Sequence, residues 1–327
     1  MRFDNQQLSH FIHKIKLQPE NMGKYRDQLA NLKKRLETKI AQDDSHGLKV
    51  TKYLIGGSWK KHTILRPTGD HPIDIDLLLF VEGDSNIQND LKKLYGFIVD
   101  YLVSIYPQKD IRKEYDAQGN NKSVTIIFSG TGLEVDIVPV VPLDNLPDYV
   151  WQPSRRGGKK YITSVSRQLT FSLAHRKQNA SYTAIVRAIK WWRNYKELYP
   201  TDDEPGLSSF AIELITAYLD EQYGVEENIE EGIIRFFQFV SGASFPIIQF
   251  EAAIKHVPKS FDPPIYVGDN TNNENNVARR MTEDKWAEIV SEAEEAFDTL
   301  NMAIARNNEG DTIQEWKSVF GPTFNIK

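Results

Sequence analysis

The sequence predicts an α/β (α+β) chain: a mixed sheet with flanking helices, followed by a helical C-terminal domain. Three observations carry that expectation. Between about residues 48 and 142, five apolar stretches have the period of strands: "LKVTKYLIGG", "IDIDLLLFV", "KDIRKEY", "SVTIIFS" and "LEVDIVPVV". Among them one stretch, "IQNDLKKLYGFIVDYLVSIY", follows helical spacing, and near-continuous apolar strands beside such a helix indicate a sheet that helices cover. After the polar loop "WQPSRRGGKKYITS" the apolar positions recur mainly at helical intervals. A chain of 327 residues is long enough for about two cores, and the change of period puts their boundary near 155, with domains 1–155 and 156–327.

Taken in order, the chain starts with "MRFDNQQLSHFIHKIK", which lacks an apolar core of signal-peptide length, and no later run reaches membrane-spanning length. The expectation is a soluble, cytoplasmic protein with no membrane partner. Next, Pro19 suits a first helical turn, and Met22, Tyr25, Leu29, Leu32, Leu36 and Ile40 keep helical spacing until the polar "DDSHG". The strands of the sheet follow. In the C-terminal part, "YTAIVRAIKWWRNYKEL", "LSSFAIELITAYLDEQY" and "TEDKWAEIVSEAEEAFDTLNMAIA" read as helices. No cysteine is present, which excludes a disulfide framework and a thiolate zinc site. Forty basic and 45 acidic residues give a net charge of −5, which opposes long nucleic acid as an obligate partner. A nucleotide needs only a local basic pocket.

The chemistry concentrates in "IGGSWKKHTILRPTGDHPIDIDLLLF". Alternate residues of a strand share a face, so Asp74 and Asp76 project together while Ile73, Ile75 and Leu77 face away. Two carboxylates one pleat apart repel unless a cation lies between them, and magnesium suits such a pair. Glycine at Gly57 lets the backbone approach a ligand, and Ser58 adds a hydroxyl donor at what could be a helix start. Ser58 equally suits an ordinary helix cap. Sixty residues beyond Asp76, Asp136 stands on another apolar strand and shares its face with Glu134. If the two strands are neighbours, the carboxylates form a triad suited to two metal ions and in-line phosphoryl chemistry.

Gly57-Ser58, then Asp74-x-Asp76, then Asp136 in "EVDIVP" together resemble the signature of polymerase-β-type nucleotidyltransferases. Downstream, "AIKWWR", "LSSFAIELI" and "GDNTNNENNVARRM" resemble the C-terminal helical region of oligoadenylate synthetases. The pattern is most similar to the bacterial cGAS/DncV-like nucleotidyltransferases (CD-NTases), which make cyclic di- or trinucleotide signals in anti-phage defence. The resemblance covers roughly residues 45–300. It implies a polymerase-β-like sheet with a helical oligoadenylate-synthetase-like domain, and template-independent joining of nucleoside triphosphates, ATP among them. It implies two Mg²⁺ ions, with Mn²⁺ as an alternative, held by Asp74 and Asp76, with Asp136 binding the ion nearest the acceptor hydroxyl, which it helps deprotonate. Gly57 and Ser58 would meet the donor triphosphate, Lys190 would reach the same phosphates, and Ser208 or Ser209 would hydrogen-bond them. "DNTNNENNV" resembles the family's "DP-x-NP-x-NNV" segment near the nucleotide, with Asn270 in place of the usual proline. Regulatory and effector proteins from a defence operon are the implied partners.

Other readings stay open on the residues alone. A linear oligonucleotide synthetase or an RNA-terminal nucleotidyltransferase would use the same carboxylates, and a nucleotide-binding regulator could have lost catalysis. Lys190 also fits a core helix with its stem buried and its ammonium at the edge. Trp191 and Trp192 suit a core better than a base-stacking platform. The run Arg155–Lys160, and Lys60, Lys61 and Arg66, suit solvated loops as well as phosphate guidance. "EENIEEG" reads as a solvated turn or helix start.

Overall fold

Helix α1 (Asn5–Ile15) opens the chain, an element absent from the expectation drawn from the sequence. Its cause is local. Asp4 accepts from the Gln7 backbone N–H while the Gln7 side chain accepts from Asp4 N–H, a capping box, and Leu8, Phe11, Ile12 and Ile15 are buried at helical spacing. The computed structural model describes every residue except 70, 84–89, 116–120, 154–159 and 202. The described chain forms two compact units. One comprises Met1–Lys16, His62–Leu65 and Thr170–Lys327, and the other Leu17–Lys61 and Arg66–Leu169. The expected single division near 155 differs from this in two ways: α1 and a four-residue segment join the helical unit, and the later break falls after Leu169.

In the sheet unit, Pro19 lies in a 3₁₀ turn (Pro19–Asn21) that runs straight into α2 (Met22–Ala41), rather than in the α-helix itself. Tyr25, Leu29, Leu32, Leu36 and Ile40 form the buried stripe of α2, as the spacing predicts. The strands are β1 (Lys49–Ile55), β2 (Ile73–Glu82), β3 (Asp110–Tyr115), β4 (Asn121–Phe128) and β5 (Leu133–Pro142). Between β1 and β2 sits the single turn α3 (Gly57–Lys60), and α4 (Leu91–Ile105) fills the interval before β3. Spatial order is β1-β2-β5-β4-β3; β2 and β5 are parallel and the other neighbours antiparallel. The sheet is mixed, as predicted. Arg35 of α2 donates to the Ile105 carbonyl at 2.8 Å and lies over the Tyr106 ring, a cation placed at the negative end of α4.

The segment expected as a polar loop is partly strand. β6 (Val150–Pro153) and β7 (Lys160–Thr163) pair antiparallel, with Trp151 opposite Ile162, and β6 also pairs antiparallel with the end of β5, Trp151 opposite Val141. Arg155 to Lys159, which suit either a solvated loop or phosphate guidance, lie outside the described residues. Lys61 is buried rather than solvated. Helix α5 (Val165–Gln178) begins in this unit and continues into the other.

The helical unit is built on α6 (Tyr182–Tyr195), α7 (Ser209–Tyr223), α8 (Ile229–Val240), α9 (Glu283–Ala305) and α10 (Glu309–Phe320). Trp191 and Trp192 are core residues: Trp192 packs on Phe237 at 4.9 Å between centroids, and Trp191 donates to the Phe320 carbonyl at 2.9 Å. Phe3 and Phe11 of the N-terminal segment join Trp316, Phe320 and Phe324 in one aromatic cluster, which is why α1 belongs here. The stretch "EENIEEG" begins α8 with Asn228 as its cap. Glu230 is buried there, not solvated; it accepts from Phe3 N–H, and desolvation raises its pKa.

The approach to α7 is equally constrained. A side chain at Gly206 would place its Cβ 2.4 Å from the Tyr199 carbonyl carbon and 2.5 Å from Pro200 N, backbone atoms with no rotamer to yield. Gly206→Ala is expected to lower unfolding stability by about 1–3 kcal/mol, as overpacking does, read from the urea midpoint at unchanged slope.

Candidate active site

The site grows out of one strand pairing. In the parallel register of β2 and β5, Asp74 pairs with Glu134 and Asp76 with Asp136. Paired residues of adjacent strands share a face, so Asp136 arrives beside Asp76 as the triad required. Ile73, Ile75 and Leu77, and across from them Leu133, Val135 and Ile137, are at most 1% exposed on the opposite face. One ligand oxygen from each of Asp74, Asp76 and Asp136 falls within 4.8 Å of the others. Further along the same face the carboxylates give way to Leu78, Val138 and Val140, which pack with Val150 in a small apolar cluster. On these two strands the paired acids are therefore confined to the first half of each.

The Gly56-Gly57-Ser58 turn lies directly against Asp76. Gly56 N–H donates to the Asp76 carbonyl at 2.9 Å. Gly57 has φ +57°, and a Cβ there would overlap the Asp76 carboxylate, 1.8 Å from Oδ2. Glycine is thus required twice over, by its backbone conformation and by the neighbouring carboxylate. Gly56, not Ser58, takes the cap position of α3, so the serine hydroxyl is not committed to capping this turn. Trp59 anchors the turn below, with an edge-on contact to Tyr25 of α2 at 6.3 Å.

One polar residue at the triad escaped the sequence reading. Thr125 of β4 pairs with Asp136 in the antiparallel β4–β5 register, and its hydroxyl donates to Asp136 Oδ1. The signal was available. In "SVTIIF", Ser and Thr alternate with Val and Ile on a strand that is otherwise core, the same pattern that exposed the aspartates of β2.

Lys190, Ser208 and Ser209 belong to the helical unit, where each has a partner inside that unit. Lys190 is 4% exposed and its ammonium donates to the Thr63 carbonyl at 3.0 Å. Thr63 is fully buried, and its hydroxyl donates to Glu213 Oε1 at 2.7 Å. Ser208 is the N-cap of α7, accepting from Ala211 N–H at 3.1 Å. Ser209 accepts from the buried Arg193 guanidinium at 3.3 Å. The segment 268–276 forms β8 (Gly268–Asp269) and β9 (Asn272–Asn276), and its amides bond to neighbouring backbone. Asn273 accepts from Phe250 N–H and donates to Phe250 O, and Asn276 accepts from Val267 N–H and donates to Ile265 O.

Comparison with known proteins gives one consistent picture. Residues 1–177 match the Second Messenger Oligonucleotide or Dinucleotide Synthetase domain. The chain is 30% identical over 328 residues to a CBASS oligonucleotide cyclase CdnC of Escherichia coli (strain KTE188), covering 100% of this chain and 99% of that protein. It is 29% identical over 334 residues to a cyclic AMP-AMP-AMP synthase of E. coli (strain MS 115-1), covering 98% of each. Among solved structures, E. coli MS115-1 CdnC with ATP superposes with a TM-score of 0.78 at 27% identity over 99% of both chains. The same CdnC in complex with HORMA-deltaN gives 0.77 at 26% identity over 98% of both.

The contact between Gly57 and Asp76 leads to a prediction. In Gly57→Ala the Asp76 carboxylate must leave its position, and displacement of a reacting group by about 1 Å costs on the order of 100-fold in rate. Nucleotide consumption is expected to fall by at least that factor. Circular dichroism checks that the sheet persists.

Proposed function

The chain belongs to the Second Messenger Oligonucleotide or Dinucleotide Synthetase family, and we propose that it joins nucleoside triphosphates, without a template, into a cyclic di- or trinucleotide signal of anti-phage defence. The observation that carries the reading is the convergence of Asp74, Asp76 and Asp136 on adjacent strands beside a glycine turn. Cyclisation is supported by full-length similarity to an oligonucleotide cyclase, and ATP as a substrate by similarity to a cyclic AMP-AMP-AMP synthase.

Asp74, Asp76 and Asp136 would hold Mg²⁺. Three carboxylates so close, on oxygen ligands alone, match a hard divalent cation. Bound there, the metal would offset charge on the transferring phosphoryl group and on the departing pyrophosphate. A ribose hydroxyl attacks the α-phosphorus of the donor, pyrophosphate leaves, and a later round closes the ring. Asp136 is assigned the proton of the attacking hydroxyl. Ser58 and the backbone at Gly57 are assigned to the donor triphosphate. Lys190 joins them; an ammonium carries three donors, so holding Thr63 is compatible with a phosphate contact. Ser208 and Ser209 complete the assignment.

No described helix is long and apolar enough to cross a membrane. A cytoplasmic setting, where nucleoside triphosphates are made and used, fits the reading. Similarity to a CdnC solved with HORMA-deltaN supports a regulatory protein as partner.

The test is incubation with labelled ATP, CTP, GTP and UTP in turn, with the product identified by mass after phosphatase treatment. A cyclic product keeps all its phosphate; a linear oligonucleotide or an extended RNA end would replace this reading. Asp74→Asn with Asp76→Asn should lower pyrophosphate release below detection, with a melting temperature in the metal-free protein equal to or above that of the natural chain, since the substitutions relieve repulsion among the acids. Chelation by EDTA should stop turnover and added Mg²⁺ restore it. Continued pyrophosphate release by the Asn pair would overturn the assignment.

A further inference from the structure

We propose that Thr125 is a positioning residue for Asp136, its buried hydroxyl fixing the carboxylate in the orientation that receives a divalent cation. The inference rests on the reading above that the triad holds such an ion. Thr125 is 2% exposed and stands directly opposite Asp136 on the neighbouring strand. Its Oγ1 donates to Asp136 Oδ1. A carboxylate only accepts, so the single hydroxyl proton of Thr125 is committed to it.

The composition of β4 makes this placement specific. Val124 and Ile126 are fully buried on the other face, as a central strand requires. Toward the carboxylates the same strand carries hydroxyls, Ser123 at 0% exposure and Thr125 at 2%. Valine has nearly the shape of threonine and an equal preference for strands, without a polar atom to desolvate. A buried hydroxyl at this position is therefore costly unless its partner repays it, and the partner is the third acid of the triad.

The two in-register acids are thus supported from opposite sides. Asp76 is set by the Gly57 backbone, which leaves no space for a side chain. Asp136 is set by Thr125 across the β4–β5 ladder. A carboxylate turns about its χ2 bond with little resistance. A hydrogen bond to one oxygen removes that freedom before an ion arrives, which is how groups behind metal ligands tune affinity.

The test uses the full chain with Mn²⁺ as the probe, its free concentration followed by electron paramagnetic resonance. Thr125→Val and Thr125→Ala should each weaken Mn²⁺ binding by about 10- to 100-fold, the usual cost of losing a group that orients a ligand. The Mg²⁺ concentration for half-maximal turnover should rise by a similar factor, while KM for ATP at saturating Mg²⁺ stays within about threefold. Thr125→Ser, which keeps the hydroxyl, should bind Mn²⁺ within about threefold of the natural protein. Binding by Thr125→Val or Thr125→Ala as tight as the natural protein, or binding by Thr125→Ser as weak as theirs, would overturn the proposal. Asp136→Asn separates the two levels. If it binds Mn²⁺ as tightly as the natural protein, the reading of the triad as a cation site fails. If it loses binding while Thr125→Val keeps it, only the role of Thr125 fails.

Discussion

The parallel pairing of β2 with β5 is the constraint on which the site depends. It aligns Asp76 with Asp136 on neighbouring strands, whereas the chain separates them by sixty residues. Two like charges about 5 Å apart at an effective dielectric constant of 20 repel by roughly 3 kcal/mol. A fold whose whole margin is about 5–15 kcal/mol does not keep such an arrangement for stability. The rest of the sheet unit is arranged around it: the glycine turn that lies against Asp76, the hydroxyl that meets Asp136, and the apolar cluster that closes the same face beyond them.

In the helical unit the polar groups follow a different logic. Several polar side chains there are paired with backbone: Asn273 with Phe250, Asn276 with Ile265 and Val267, Ser208 with Ala211, Lys190 with Thr63. Each satisfies a group that burial would otherwise leave costly. The segment His62–Leu65 is held in the same way, by Lys190 at the Thr63 carbonyl, by Glu213 at its hydroxyl and by a bridge from Leu65 to Lys16. The stretch from Ser58 to Asp74 thus contains one part that the helical unit claims as its own.

The aspartates were legible in the sequence because strands have a period of two, and a charge at every second place on an apolar strand has few explanations. The same rule would have found Thr125, but a hydroxyl beside β-branched residues is common enough to pass unnoticed. Helix α1 is inconspicuous in the sequence because its amphipathic stripe of Leu8, Phe11, Ile12 and Ile15 leaves the overall apolarity of the segment low. Strands β6 and β7 were hidden by the basic run between them. Lys190 could be read as a phosphate ligand or a core lysine; its bond to the Thr63 carbonyl is compatible with either, and depends on a segment 127 residues away. The division of the chain into units was least accessible, because compactness is a property of contacts and not of sequence order.

Burial decides the register that assembles the acids. Ile73, Ile75, Leu77 and Leu79 are at most 1% exposed, and burying an aliphatic side chain stabilises by about 1.5–3 kcal/mol. Four of them contribute roughly 6–12 kcal/mol on that scale, well above the repulsion between Asp76 and Asp136. A slip of one residue between β2 and β5 would turn every side chain over, exposing these four and driving the aspartates into the core. The apolar face therefore fixes the register, and the opposite face inherits it. The positions that make the fold and the positions that make the chemistry lie on one strand, one residue apart. Neutralising an acid should consequently change function while leaving the sheet intact, because most of the apolar burial that holds β2 in place is on the side that the acids do not touch.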